Sequence, residues 1–145
     1  MNEYIHYGHT DFDKAIFNTI KNGMNFTKPF GGFWGSPVNA KHGWKDWCTL
    51  SNFRKCEIQN SFKFTLDDAA RVLTITACEQ LVDLPKLNLS KFIPEFVISL
   101  DFEQLALQYD AIEVSISTDP HLLSALMLWD CDSILVFNPD VVLPR

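Results

Sequence analysis

Two short runs hold the side chains best suited to chemistry in this chain of 145 residues. Near the start, Tyr4-Ile5-His6-Tyr7-Gly8 sets a histidine between two tyrosines, and further on Gly31-Gly32-Phe33-Trp34-Gly35-Ser36-Pro37 sets an aromatic pair among glycines. Glycine weakens a strand unless another backbone or a ligand must come close. An imidazole able to hold a hydroxyl, beside an indole able to cover a flat ring, suits a nucleotide-handling cleft. Each residue also has an ordinary reading: His6 as a hydrogen-bonded histidine in a half-buried strand, Trp34 as core, Ser36 as a cap on the turn into Pro37. Tyr7 points to the face opposite His6, because neighbours on a strand alternate.

Taken together, the two runs resemble the ADP-ribosyltransferase superfamily, in its diphtheria-toxin and poly-ADP-ribose-polymerase branch. There a histidine on the first strand and a Gly-aromatic-x-x-Ser/Thr strand hold the nicotinamide end of NAD. The resemblance implies that His6 and Gly8 hold the ribose and the amide, that Trp34 stacks on the nicotinamide ring, and that Tyr7, Phe33 and Ser36 complete the cofactor-binding set. His6 and Trp34 are then expected on adjacent strands lining one cleft. The segment from Leu128 through Trp129-Asp130-Cys131-Asp132-Ser133-Ile134 to Asn138-Pro139 is similar to the family's end strand and puts Ser133 in the place of its glutamate.

ADP-ribosyl transfer from NAD breaks the nicotinamide–ribose bond through a cation-like sugar, much as glycosidases break theirs. It needs a clamp on the ribose, a surface for the ring and negative charge near the developing cation. Serine carries no such charge. The resemblance therefore shifts the catalytic role to Asp132, one residue earlier, or to Glu113 on a neighbouring strand. The plain alternatives are a solvated helix-to-strand linker for Asp130 and Asp132, and an exposed strand position for Glu113.

A formal charge of −6 argues against a protein that tracks nucleic-acid phosphates, since the few Lys and Arg form no basic stripe. No direct sequence-specific nucleic-acid binding is expected; the partner implied is a macromolecular acceptor, a protein. No apolar run reaches the ~20 residues that cross a bilayer, and Met1-Asn2-Glu3-Tyr4 has no basic or apolar leader character, so the expected setting is cytoplasmic, without membrane contact. Cys48, Cys56, Cys78 and Cys131 are irregularly spaced, without paired knuckles, and read as reduced thiols. His6 and His9 are expected on opposite sides of a strand, and His42 and His121 lack partners at ligand spacing, so no metal site is expected. No P-loop, nucleophile elbow or oxidoreductase dinucleotide fingerprint is present.

These residues must be positioned by one domain spanning 1–145, since 47% hydrophobic content over this length supports a single core. Phe12, Ile16 and Ile20 share a helical spacing after Thr10 or Asp11, with Gly23 as the stop. A loop from Phe26 to Phe30 leads into the glycine-marked strand, and a helix carrying Trp44 and Trp47 follows Pro37 and Asn39. Phe62, Phe64 and Leu66 alternate with polar residues, and Asp67-Asp68 suggests a turn that returns Val72–Ile75 as a hairpin partner. Asp101 to Gln108 reads as a short helix. Ile112, Val114 and Ile116 alternate on a strand, and 134–137 is an apolar strand covered on both faces. Between them Asp119 caps a helix that Pro120 begins, running through Leu122, Leu123 and Leu126. The fold class is α+β, a split, largely antiparallel β-sheet core with short flanking helices, which the resemblance also implies.

Two functions follow. One is a small NAD-dependent mono-ADP-ribosyltransferase or NAD glycohydrolase; by fold analogy, such small domains serve as toxins or phage effectors. The other is a catalytically degenerate domain of the same fold, capturing a nucleotide or blocking a partner through its acidic surface.

Overall fold

The computed structural model describes residues 2–23, 28–88, 94–127 and 129–145. Phe26, Leu128 and the side chain of Ile16, each used above, lie outside them. Among the described residues the strands are β1 Tyr4–Tyr7, β2 Phe33–Pro37, β3 Ser61–Leu66, β4 Val72–Ile75, β5 Ala111–Val114, β6 Ser133–Val136 and β7 Val142–Pro144. The helices are α1 Trp44–Ser51, α2 Phe102–Gln108 and α3 Pro120–Ala125. The fold is α+β, and every pairing in the sheet is antiparallel except β4 with β5.

The sheet runs β4-β5-β6-β2-β1-β3-β7. β2 serves both halves: Ser36 and Pro37 pair with β1, while Phe33, Trp34 and Gly35 pair with β6. One strand thus joins a β4-β5-β6 half to a β1-β3-β7 half. The two halves meet over a shared core, in which Ala111, Ile134 and Val136 pack with Tyr4, Phe62, Phe64 and Leu66. On the other face Ile112, Val114 and Leu135 pack with Leu105 of α2 and Leu122 of α3. Alternate residues of β5 and β6 therefore enter different cores, and both strands are covered on both sides.

Local chemistry explains where the helices begin. Asp101 accepts the Gln104 N–H as the cap of α2, and Asp119 accepts the His121 N–H before Pro120 opens α3. Leu122 and the C-cap Leu126 are buried, and Leu123 is exposed. The expected helix through Phe12 and Ile20 is only a 3-10 turn, Lys14–Ile16. Asp13 satisfies the Ala15 N–H there, a local alternative to helix, and Phe12 and Ile20 join different cores, so no common stripe exists to be buried.

β3 and β4 are not a hairpin. β1 and β7 occupy the two edges of β3, and β4 lies at the far end of the sheet, parallel to β5. Asp110 anchors that arrangement by accepting from the Arg71 backbone N–H at 2.8 Å and from Asn138 Nδ2 at 3.0 Å, and it pairs with the Arg71 guanidinium at 3.3 Å. Burial pushes its carboxyl up, but the bonds from Arg71 and Asn138 outweigh this and hold it at about 2.

Candidate functional site

β1 and β2 are paired only at Tyr4 with Pro37 and Ile5 with Ser36. Beyond that point the strands part, and a cavity of about 400 Å³ opens in the fork. This volume lies in the range of small-molecule sites. One wall is aromatic: His6 lies 5.6 Å from Phe33 and 5.1 Å from Phe62, and Phe12 packs on both phenyl rings. The other wall carries Trp34, Trp44, Lys28 and Asp130. Cys131 and Ser133, at the start of β6, line the same space, as do Tyr7, His9 and Arg54.

His6 closes the neck of the fork. Its Nδ1 lies 2.6 Å from the Trp34 carbonyl oxygen. A carbonyl only accepts, so Nδ1 carries the proton and donates. Burial lowers the imidazole below its ordinary range, so the ring is neutral near pH 7 and Nε2 is a free acceptor site for a donor. That donor is His9 Nδ1, at 2.9 Å. The two histidines do not diverge, as continued strand alternation would require. The strand ends at Tyr7 and the chain turns at Gly8, whose φ of 117° is open to glycine, bringing the His9 ring to 5.2 Å from His6. Among the described residues no group of three or more His, Cys, Asp or Glu is placed to hold a metal ion.

Trp34 and His6 line one cavity from adjacent strands, yet their side chains leave the sheet on opposite faces. His6 packs on Phe33, and alternation along β2 turns the next residue, Trp34, to the other face. The Trp34 indole packs on Trp129, 4.9 Å away, while His6 belongs with Phe33 and Phe62. The cavity reaches both because the strands fork.

The other expected site residues have different positions. Gly8 donates its N–H to the Asn60 carbonyl at 2.9 Å. Ser36 is buried, and its Oγ accepts the Trp44 N–H at 2.8 Å, fixing the first turn of α1 and with it the Trp44 ring. The glycines in β2 and just before it answer first to the protein itself. A Cβ at Gly35 would lie 2.9 Å from the Phe64 ring, and one at Gly32, where φ is 62°, 2.7 Å from the Val136 carbonyl.

Neither expected carboxylate lines the cavity. Asp132 is 2% exposed and occupied: Oδ1 accepts the Ser117 N–H at 2.9 Å, and Oδ2 accepts the Ser117 hydroxyl at 2.6 Å and the His42 N–H at 3.3 Å. It clamps the turn after β5 and the approach to α1 onto the head of β6. Glu113 is buried rather than exposed, and the Tyr4 hydroxyl donates to its Oε2 at 2.7 Å. Burial raises its carboxyl, against the bond from Tyr4, which lowers it. The carboxylate that does face the cavity is Asp130, paired with Lys28 Nζ at 2.6 Å. Asp130 reads as linker from spacing alone; its pairing with a lysine 102 positions away has no local signature.

Cys48, Cys56, Cys78 and Cys131 are free thiols. Burial raises Cys131 to about 11, so it lines the cavity as a neutral thiol. Among the described residues no helix is long and apolar enough to cross a membrane. No family model matches the chain, and neither a curated protein nor a solved structure matches it.

Proposed function

We propose that the forked cleft between β1 and β2 takes the nicotinamide-riboside end of NAD, and that the domain is a small ADP-ribosyltransferase acting on a macromolecular acceptor, a protein. The observation that supports this best is the composition of the cleft: a neutral imidazole, an indole and the carboxylate of Asp130 line one space of about 400 Å³. His6 Nε2 accepts a ribose hydroxyl in place of His9, and Trp34 covers the ring. The C1′–N bond breaks with its electron pair leaving on neutral nicotinamide, the acceptor's nucleophile closes on C1′, and its proton passes to water or a nearby base. Asp130 supplies the negative charge facing the ribosyl cation, where it acts on the transition state more than on the ground state.

A second reading, capture of the nucleotide without turnover, is favoured by one observation. Glu113 and Asp132 are both held inside the protein by their own donors, and Ser133 stands where the resembling family keeps its glutamate. Calorimetric titration with NAD, followed by assay of nicotinamide release and mass spectrometry of proteins incubated with NAD, separates the readings. Heat of binding with release that falls in Asp130→Asn supports the transferase. Binding without release above the uncatalysed rate leaves capture. Absence of binding overturns both.

A further inference from the structure

Lys28 ends in an unusual place. Its ammonium lies 5.7 Å from the centre of the Trp34 ring, 5.3 Å from Trp44 and 5.9 Å from Trp47, and 2.6 Å from an oxygen of Asp130. Three indole rings and a carboxylate gather around this one cation as an aromatic cage, the arrangement by which proteins hold organic cations. The cage is built from distant parts of the chain. Trp34 comes from β2, Trp44 and Trp47 from the first turn of α1, stacked on each other at 5.2 Å, and Asp130 from the approach to β6. The hydroxyl of Ser36 holds the first turn of α1 against β2, so the spacing of the rings is set by a hydrogen bond to β2. Trp34, Trp44, Asp130 and Lys28 all line the cavity of the fork.

We propose that this cage is a site for a flat organic cation, the pyridinium ring of an oxidised nicotinamide nucleotide, and that Lys28 is an internal plug which that ring displaces. The assignment rests on the NAD reading above and deepens it. An ammonium held by ring faces is a placeholder of the right charge, and its long, flexible stem allows it to withdraw. The side chain is 38% exposed, so solvent is open to it. The pyridinium ring carries one positive charge and two flat faces, and it takes over both interactions of the ammonium: contact with the indole rings, and the Asp130 carboxylate at its rim. The dihydronicotinamide ring is neutral and gains neither, so the cage discriminates oxidised from reduced nucleotide. Release of Lys28 also frees Asp130 to face the ribose.

The test is calorimetric titration of the wild-type chain, Lys28→Met and Asp130→Asn with 1-methylnicotinamide, a pyridinium cation, and with neutral nicotinamide, followed by NAD in its oxidised and reduced forms. Wild type should bind the cation more tightly than the neutral amide by about fivefold or more. Lys28→Met, which removes the competing cation and keeps an unbranched side chain one atom shorter, should tighten the cation by about fivefold again and leave nicotinamide unchanged. Asp130→Asn should weaken the cation selectively. Equal affinity for cation and neutral amide, absence of binding to either by wild type and Lys28→Met alike, or a cation affinity that Lys28→Met leaves unchanged or reduces, overturns the cage. Failure of the NAD reading looks different. A chain that shows the cation preference and its response to Lys28→Met but binds neither form of NAD keeps the cage and loses the nucleotide, whereas equal binding of both forms keeps the nucleotide and loses the cage.

Discussion

Replacing Asp132 by alanine should unfold the protein more easily rather than remove a catalytic group from a folded one. The carboxylate accepts the Ser117 N–H, the Ser117 hydroxyl and the His42 N–H at 2.9, 2.6 and 3.3 Å. Bonds to a charged acceptor contribute about 1.5–3 kcal/mol each, and a buried donor left unpaired costs a similar amount. Ser117 is exposed and His42 half-buried, so water recovers part of the loss, and the His42 bond is long. The net cost is about 3 kcal/mol, dominated by the two Ser117 donors. For a chain of this length each kcal/mol moves the melting temperature by roughly 2–4 °C, so Asp132→Ala should melt about 6–12 °C below wild type. Asp132→Asn keeps one acceptor oxygen and should lose about half as much. Thermal unfolding followed by circular dichroism measures this directly, and NAD titration well below the transition then probes the site in the folded variant. A melting temperature within about 2 °C of wild type, together with abolished nicotinamide release, would refute the clamp and place Asp132 at the reacting centre.

Three further outcomes follow from the same contacts. Tyr4→Phe deprives the buried Glu113 of its donor, so its carboxyl, already raised by burial, rises further. Stability carried by a raised acid is complete below the unfolded pKa and lost as pH climbs through the folded one. The variant should therefore lose more stability at about pH 8 than at about pH 4.5 in urea titrations, and equal losses would show that Glu113 stays neutral throughout. Asp110 has the opposite sign: its carboxyl is held at about 2, so its contribution is present above the unfolded range near 3.8 and disappears as pH falls from there through the folded value. The stability gap between wild type and Asp110→Asn, about 1–2 kcal/mol after screening around the exposed Arg71 is allowed for, should close over that interval. His6→Ala should weaken NAD by about tenfold, the worth of one ribose hydrogen bond, and leave nicotinamide alone unaffected; unchanged NAD affinity would remove His6 from the ribose site.

Strands with strong local patterns were legible in the chain itself. The alternation of Phe62, Phe64 and Leu66, the apolar run at 134–137 and the Asp119-Pro120 start of α3 each rest on rules that act within a few residues. The same holds for the prominence of His6 and Trp34, both of which reach the cavity wall. Pairing across the sheet is a different matter. Asp67-Asp68 is a sound turn signal, yet Val72–Ile75 goes to the opposite end of the sheet, because β1 and β7 already satisfy both edges of β3 and Arg71 is held by Asp110. Periodicity at Phe12, Ile16 and Ile20 suggested a helix, but the burial that would reward one is divided between two cores.

The carboxylates show the limit most sharply. Spacing along the chain ranks Asp132 and Glu113 above Asp130, since it measures distance from a motif. What a carboxylate can do depends on which donors reach it, and those come from Ser117, His42, Tyr4 and Lys28, up to 109 positions away. Composition, charge and the local strand and cap signals were determined by the sequence alone, because each depends on neighbours along the chain. The fork between β1 and β2, the commitment of Asp132 and Glu113 to the interior, and the cage around Lys28 were decided only by tertiary structure, because each depends on hydrogen bonds and ring contacts that packing alone brings within reach.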